Sequence, residues 1–258
     1  MADLAVKVRG AGFSYNGKQP VFANINCDIR YAEILAILGP NGQGKTTFLK
    51  SVLRALHLTQ GTIEHDEIIG FVPQSFAPAF SYSVFDIVLM GRAMHLPVLK
   101  SPSRMDRDKA WEALATLGIE SLADREFNRL SGGQKQLVLI ARAIAMECRV
   151  LLLDEPTSAL DLGNQQRVLE LMARLAKNDG IAVVFTTHQP VHALNLADQV
   201  MLMSPQQEAV VGPANEVVTS ERLSQAYGTP LQVKDVDHEG RIYKTVIPLA
   251  GLAKLQSR

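Results

Sequence analysis

The sequence predicts an α/β fold: a parallel sheet covered by helices, with an antiparallel β region ahead of it and a helical subdomain set into it. Three observations carry this expectation. Ile34–Leu38, Val150–Leu153, Ile181–Thr187 and Gln199–Ser204 are near-continuous apolar runs of strand length, as strands buried on both faces require. Amphipathic segments at helical spacing lie between them, so strand and helix alternate. Before residue 33, the shorter apolar alternations read as antiparallel β structure.

Taken in order, Leu4–Val8, Gly12–Tyr15 and Ile25–Ile29 are short strands broken by Gly10, Asn16-Gly17 and Arg30–Glu33. Ile34–Leu38 ends in Gly39-Pro40-Asn41-Gly42, and beyond it Phe48, Leu49, Val52, Leu53 and Leu56 recur at helical spacing. Residues 76–130 show no strongly β-like run; Trp111, Leu114, Ala115 and Leu117 predict a helix closed by Gly118, in a small helical insertion. Val150–Leu153 stops at Asp154-Glu155-Pro156, Ile181–Thr187 at His188-Gln189-Pro190, and Gln199–Ser204 at Pro205. Val168, Leu171, Met172 and Leu175 predict a helix ending near Gly180, and Val191–Ala197 another. Glu216–Tyr227 reads as helix, and Leu231–Val236 with Arg241–Ile247 as a hairpin around His238-Glu239-Gly240. The expected organisation is one domain over 1–249, with 1–75 and 131–249 as the sheet core and its β region, 76–130 as the helical subdomain, and 250–258 as a tail.

Composition narrows the functions. At 258 residues the chain can bury a substantial core, and hydrophobic residues make up 47% of it, which argues against disorder. Its longest aliphatic runs fall far short of the ~18 apolar residues of a spanning helix. Lys plus Arg number 26 and Asp plus Glu 26, so no global basic field favours nucleic acid, and no nucleic-acid partner is expected. Asp3 and Lys7 bracket only a few apolar residues, unlike a secretory signal, so a cytoplasmic chain is expected. Cys27 and Cys148, the only cysteines, are expected to be reduced packing residues.

Gly39-Pro40-Asn41-Gly42-Gln43-Gly44-Lys45-Thr46 fits G-x-x-x-x-G-K-[ST] in full, between an expected strand and an expected helix. Glycines let successive backbone N–H groups turn toward a polyphosphate, and the helix N-terminus adds a positive dipole end. Lys45 supplies a point charge, and the Thr46 hydroxyl can ligate Mg²⁺. A plain glycine-rich turn would leave Lys45-Thr46 unexplained. Asp154-Glu155 ends a buried strand, at the sheet edge where open α/β folds bind ligands. Asp154 would hold the metal through water, and Glu155 would polarise the attacking water.

Leu130-Ser131-Gly132-Gly133-Gln134 opens a further helix bearing Leu137, Ile140, Ala141 and Ile144 on one side. With the phosphate loop, it resembles the signature motif of the ABC-type ATPases, a phosphate-loop NTPase family with a RecA-like core. The resemblance runs from about Leu4 to Leu249. It implies that Tyr15 stacks on adenine and that Gly39–Thr47, Thr47 included, is the Walker A loop. Gln74 would be the Q-loop glutamine touching Mg²⁺, Val150–Glu155 Walker B with Glu155 as catalytic carboxylate, Ser158–Asp161 the D-loop, and His188 the switch histidine at the γ-phosphate. His57, His65, His95, His192 and His238 have no such context and receive no role. ATP and Mg²⁺ are the cofactors implied.

In this family the Ser131 helix of one subunit closes over ATP held by the Lys45 loop of another. One copy of each motif therefore implies a working homodimer with two composite sites. Exporters with spans in the same chain, chromosome and repair members with long coiled coils between Gln74 and Ser131, and two-domain translation factors all fit less well than an importer ATPase. A soluble ABC ATPase of the DNA-repair or translation type is the alternative. Phe80–Arg92, apolar and ending in Met90-Gly91-Arg92, resembles the ATPases of metal-chelate importers, which serve iron-siderophore, haem, cobalamin and molybdate or tungstate. The molybdate or tungstate type is suggested by Phe71–Phe76 and Thr186–Pro190. Residues 76–92 would receive an integral membrane permease, with a periplasmic or surface substrate-binding protein as an indirect partner. The implied location is peripheral, on the cytoplasmic face of the cell membrane.

Overall fold

The computed structural model describes residues 4–65, 67–96, 100–158, 160–205 and 208–249. The two strands β1 (Leu4–Phe13) and β2 (Phe22–Arg30) pair antiparallel; β3 (Ile34–Leu38) then leaves for a second sheet, and after α1 (Lys45–Val52) the chain returns in β4 (Gln60–Glu64) against β1. Gly10 does not break β1 as expected. It adopts φ 56° at a bulge where the register shifts between Val8 and Ala11, and its N–H bonds Asn26 Oδ1 at 2.9 Å. Tyr15, expected at the end of a strand, lies beyond β1 in the following turn.

The second sheet has the order β5-β6-β7-β3-β8-β9, from β5 (Ile69–Val72), β6 (Val150–Leu153), β7 (Ala182–Thr187), β8 (Gln199–Leu202) and β9 (Val210–Pro213). All neighbours are parallel except β9, which runs antiparallel to β8. β3, β6 and β7 are buried along their whole length, which is why they read as unbroken apolar runs. Residues of β3 alternate between two cores. Ile34, Ala36 and Leu38 face the helices of residues 84–176, and Leu35 and Ile37 face α1 and the first sheet. β4, β5 and β9 were not expected: β4 is a mostly exposed edge strand, β5 has Gly70 inside four residues, and β9 closes on Pro213.

Between β5 and β6 lie α2 (Val84–Leu89), a 3₁₀ segment (Met90–His95), α3 (Arg104–Thr116) and α4 (Gly132–Ala145). Ser83, Ser103 and Ser131 close capping boxes at the starts of α2, α3 and α4. Met90-Gly91-Arg92 fastens this segment to α4. A β-carbon at Gly91 would lie 2.2 Å from the Arg142 carbonyl oxygen. The Arg92 side chain, 3% exposed, reaches Asp106 Oδ1 (3.2 Å), the Ala145 carbonyl (2.7 Å) and Glu147 Oε2 (2.8 Å).

After β6 come α5 (Leu162–Lys177) and α6 (Pro190–Leu196), then α7 (Ala214–Val217), α8 (Ser220–Tyr227) and the hairpin β10 (Leu231–His238) with β11 (Arg241–Pro248). The helix expected over Glu216–Tyr227 is split, because Thr219 turns extended and caps α8 through the Arg222 N–H. Among the described residues no helix is long and apolar enough to cross a membrane. Both cysteines are buried, and burial pushes their thiols up, to about 12 for Cys27 and about 11 for Cys148, as suits packing residues. The tail expected at 250–258 lies outside the described residues.

Candidate active site

The loop between β3 and α1 is built on two glycines in positions a side chain could not share. Gly39 (φ 155°) would put a β-carbon 2.2 Å from the Met203 carbonyl oxygen, and Gly44 (φ 88°) one at 2.7 Å from Val21 Cγ1. Gly44 is the N-cap of α1 without a side-chain cap, so the N–H groups of the first turn are left to an outside acceptor. Lys45 follows it, 6% exposed, and its Nζ donates to the carbonyls of Gly39 (2.8 Å) and Pro40 (3.0 Å). Burial lowers the Lys45 pKa, and the nearby Glu155 carboxylate opposes that shift.

The carboxylates arrive from β6. Asp154 N–H donates to the Val72 carbonyl at 2.9 Å, carrying the β5–β6 ladder one residue past the strand. The Thr46 hydroxyl faces both Asp154 oxygens at 3.0 and 2.8 Å, and Thr186 Oγ1 donates to Oδ1 at 2.7 Å. The same Thr186 oxygen accepts the Glu155 N–H at 2.7 Å. Glu155 adopts φ 49°, left-handed backbone that a non-glycine residue holds at a cost, and such strain clusters at functional sites. Its Oε1 lies 3.4 Å from Lys45 Nζ and its Oε2 2.7 Å from His188 Nδ1. A carboxylate only accepts, so Nδ1 carries the proton.

Lys45, Thr46, Glu155 and His188 open on a cleft of about 460 Å³ lined also by Tyr15, Val21, Asn41, Gly42, Gly44, Thr47, Gln74 and Ser158, whereas the buried Asp154 and Thr186 do not line it. Gln43 borders an adjoining hollow of about 660 Å³ that shares Tyr15 and Gly42. Tyr15 is 70% exposed; it packs edge-on against Phe13 with ring centres 4.9 Å apart, and its hydroxyl is 3.3 Å from Thr47 Oγ1, so a ring face stays open. Ser131, Gly132, Gly133, Gln134 and Asp161 do not line the cleft. Ser131 and Gln134 cap α4 reciprocally, with Gln134 N–H to Ser131 Oγ at 3.3 Å and Ser131 N–H to Gln134 Oε1 at 3.2 Å. A β-carbon at Gly133 would lie 3.1 Å from Asn164, whose N–H and side-chain amide both bind Asp161 at 2.8 Å. The starts of α4 and α5 are thus packed together, away from Lys45's cleft.

Sequence reasoning missed Thr186 and Tyr227. Thr186 sits one strand over from Asp154, a position that only the parallel β6–β7 register reveals, with Leu153 opposite Phe185. Tyr227 donates to the His188 carbonyl at 2.9 Å from an element 39 residues away, and no local signal marks it.

A glycine-rich loop between a parallel strand and a helix, facing acidic and histidine side chains at the ends of neighbouring strands, defines a phosphate-loop nucleotide hydrolase. The chain belongs to the ABC transporter family, whose model matches residues 22–158, and it is an ATP-binding transport ATPase of that family. It is 44% identical over 247 residues to the molybdate import ATP-binding protein MolC of Haemophilus influenzae, covering 96% of this chain and 97% of that one. A chain from a structure described as an inward-facing conformation of a metal-chelate type ABC transporter is 42% identical, with a TM-score of 0.93 over 97% of this chain and 100% of the other. A bacterial ABC transporter cassette solved as a dimer is 26% identical, with a TM-score of 0.71 over 81% and 98% of the two chains.

Proposed function

We propose that this chain hydrolyses ATP to drive import of a metal chelate or an oxyanion such as molybdate through a separate membrane permease, working as a pair of identical subunits. The observation that carries the hydrolytic reading is the Glu155 carboxylate, held between Lys45 at 3.4 Å and His188 at 2.7 Å where β6 leaves the sheet. In this reading Lys45 exchanges its two loop carbonyls for phosphate oxygens. Glu155 takes the proton of the attacking water as that water's oxygen bonds to the γ-phosphorus and the bond to ADP breaks. His188 orients Glu155 through its Nδ1–H.

The donor set fits Mg²⁺. A threonine hydroxyl rests on both oxygens of a 4%-exposed aspartate, and the exposed Gln74 amide lines the same cleft, all hard oxygen ligands. Thr46, Asp154 and Gln74 would hold the ion. When bound, it neutralises charge on the phosphates. Ser131–Gln134 and Asp161 lie outside the cleft of their own chain, which supports their use on a second subunit's nucleotide, and the dimeric cassette supports the same arrangement.

Docking of the permease is supported by a mostly apolar hollow of about 480 Å³ lined by Tyr82, Asp86, Leu89, Met90, Ala93, Leu96 and Pro102, with Phe80 (71%) and Met94 (66%) exposed. The names of the relatives point to metal-chelate and molybdate cargo, and docking on a permease would hold the chain peripherally on the cytoplasmic face of the membrane. The test is sedimentation with membranes from cells with and without the co-expressed permease. The protein should sediment only with the permease, and Met90→Glu should abolish this while leaving ATP binding intact. Equal sedimentation without the permease contradicts the reading.

A further inference from the structure

We infer that Tyr227 is a positioning residue for His188, and that the C-terminal elements α8, β10 and β11 clamp the β7–α6 turn so that the imidazole stays on Glu155. This rests on the part given to His188 in the proposed hydrolysis.

Only His188 and Gln189 separate β7 from α6, so the imidazole direction is set by two peptide units. One side of that turn is fixed locally, where Gln189 N–H donates to Thr187 Oγ1 at 3.0 Å. The Gln189 side chain does not cap α6. The other side is fixed from a distance, by the Tyr227 hydroxyl on the His188 carbonyl at 2.9 Å. Tyr227 is itself well placed. It is the last residue of α8, which stops at Gly228 in left-handed conformation (φ 65°). Val233 N–H donates to Ser220 Oγ and Leu231 N–H to Ser224 Oγ, each at 2.9 Å, which tie α8 to β10.

The hairpin then returns to the far end of the same helix. Asn195 on α6 donates to the Lys244 carbonyl at 3.0 Å and accepts the Lys244 N–H at 3.2 Å, a paired contact to β11. The helix α6 is therefore held near its start through Tyr227 and near its end through Asn195, by one C-terminal unit. Burial and the Glu155 charge both push the Tyr227 phenol up, so it keeps its proton as a donor. That proton is committed to a main-chain carbonyl, which makes Tyr227 a positioning group. A 2.7 Å contact tolerates little rotation of the turn before it is lost as a hydrogen bond.

Tyr227→Phe removes the hydroxyl and keeps the ring. In the full-length protein with Mg²⁺ and ATP, kcat should fall about three- to tenfold, KM for ATP should stay within about twofold, and the melting temperature within about 2 °C. In a His188→Ala background, Tyr227→Phe should cost nothing further. A wild-type kcat for Tyr227→Phe, the same fall in the His188→Ala background, or a fall carried entirely by KM overturns the role of Tyr227 and leaves the hydrolytic reading intact. A wild-type kcat for His188→Ala overturns that reading itself.

Discussion

His188 Nδ1 and Glu155 Oε2 are 2.7 Å apart, and the other oxygen of the same carboxylate lies 3.4 Å from Lys45 Nζ. One half-buried carboxylate thus faces two donors, and both contacts require an acceptor. Glu155→Gln keeps the shape but gives one of the donors an amide N–H₂ to face, and it removes the base. ATP binding should survive within about tenfold while turnover falls by about a hundredfold or more. With ATP the variant should accumulate as a nucleotide-bound pair of subunits in size-exclusion chromatography. Hydrolysis at the wild-type rate would remove Glu155 from the base role.

Lys45→Ala acts on the other side of the carboxylate. The loop carbonyls of Gly39 and Pro40 lose their donor and the nucleotide loses its point charge, so affinity itself should fall by about a hundredfold. Equilibrium titration with a fluorescent ATP analogue separates this from Glu155→Gln, which should bind. Unchanged binding by Lys45→Ala would contradict the phosphate-loop reading.

Thr186 serves two partners at once, donating to Asp154 and accepting from the Glu155 N–H, both at 2.7 Å, and it is 0% exposed. Thr186→Val keeps volume and β-branching but leaves both partners short of a bond. We expect a loss of about 2–4 kcal/mol in urea unfolding and a raised Mg²⁺ requirement for hydrolysis, because Asp154 loses a group that aims it. An unchanged unfolding midpoint would mean that another donor replaces the hydroxyl.

Tyr15 is 70% exposed and meets Phe13 in a T-shaped contact, which leaves a ring face for a base. Stacking of a base on an aromatic ring is worth about 1–3 kcal/mol, so Tyr15→Ala should weaken ATP binding about tenfold or more, whereas Tyr15→Phe should stay within about twofold. Equal loss in both variants would show that the hydroxyl near Thr47, and not the ring, matters.

The parts of this site that follow from the sequence are those where chemistry is local. Gly39–Thr46 needs its glycines for backbone reasons that composition and spacing expose, and Asp154-Glu155 sits where an unbroken apolar run stops. Thr186 and Tyr227 were invisible because their importance lies in which strand or helix becomes a neighbour. Thr186 matters only once β7 lies beside β6, and Tyr227 only once α8 folds back on the β7–α6 turn. The same distinction holds for the fold. Fully buried β3, β6 and β7 were legible, while the edge strand β4 and the short β5 and β9 are specified mainly by their partners. Arg92, read within an apolar docking stretch, is instead buried under it with two carboxylates.

That Arg92 cluster makes the helical region sensitive to acid. Hydrogen bonds from the Ser103 hydroxyl and backbone, then from Arg92, hold Asp106 below the usual carboxylate range, and Arg92, followed by Lys109, does the same for Glu147. Both folded pKa values are depressed. Their stabilisation is therefore fully present above the unfolded values of about 3.9 and 4.3 and is lost as pH falls through the folded ones, below about pH 4. Protonation there leaves a buried guanidinium short of counter-ions between α3, the 3₁₀ segment and the end of α4. Trp111, the single tryptophan, lies on α3 with its ring 5.1 Å from Phe85 of α2, so its fluorescence reports this region locally. An acid titration should show the Trp111 signal changing below about pH 4. Glu147→Gln, which removes one of the two titrating carboxylates, should make the protein less stable at neutral pH and its unfolding less steeply dependent on pH in the acid limb. An acid limb identical to wild type in Glu147→Gln would assign the transition to other carboxylates.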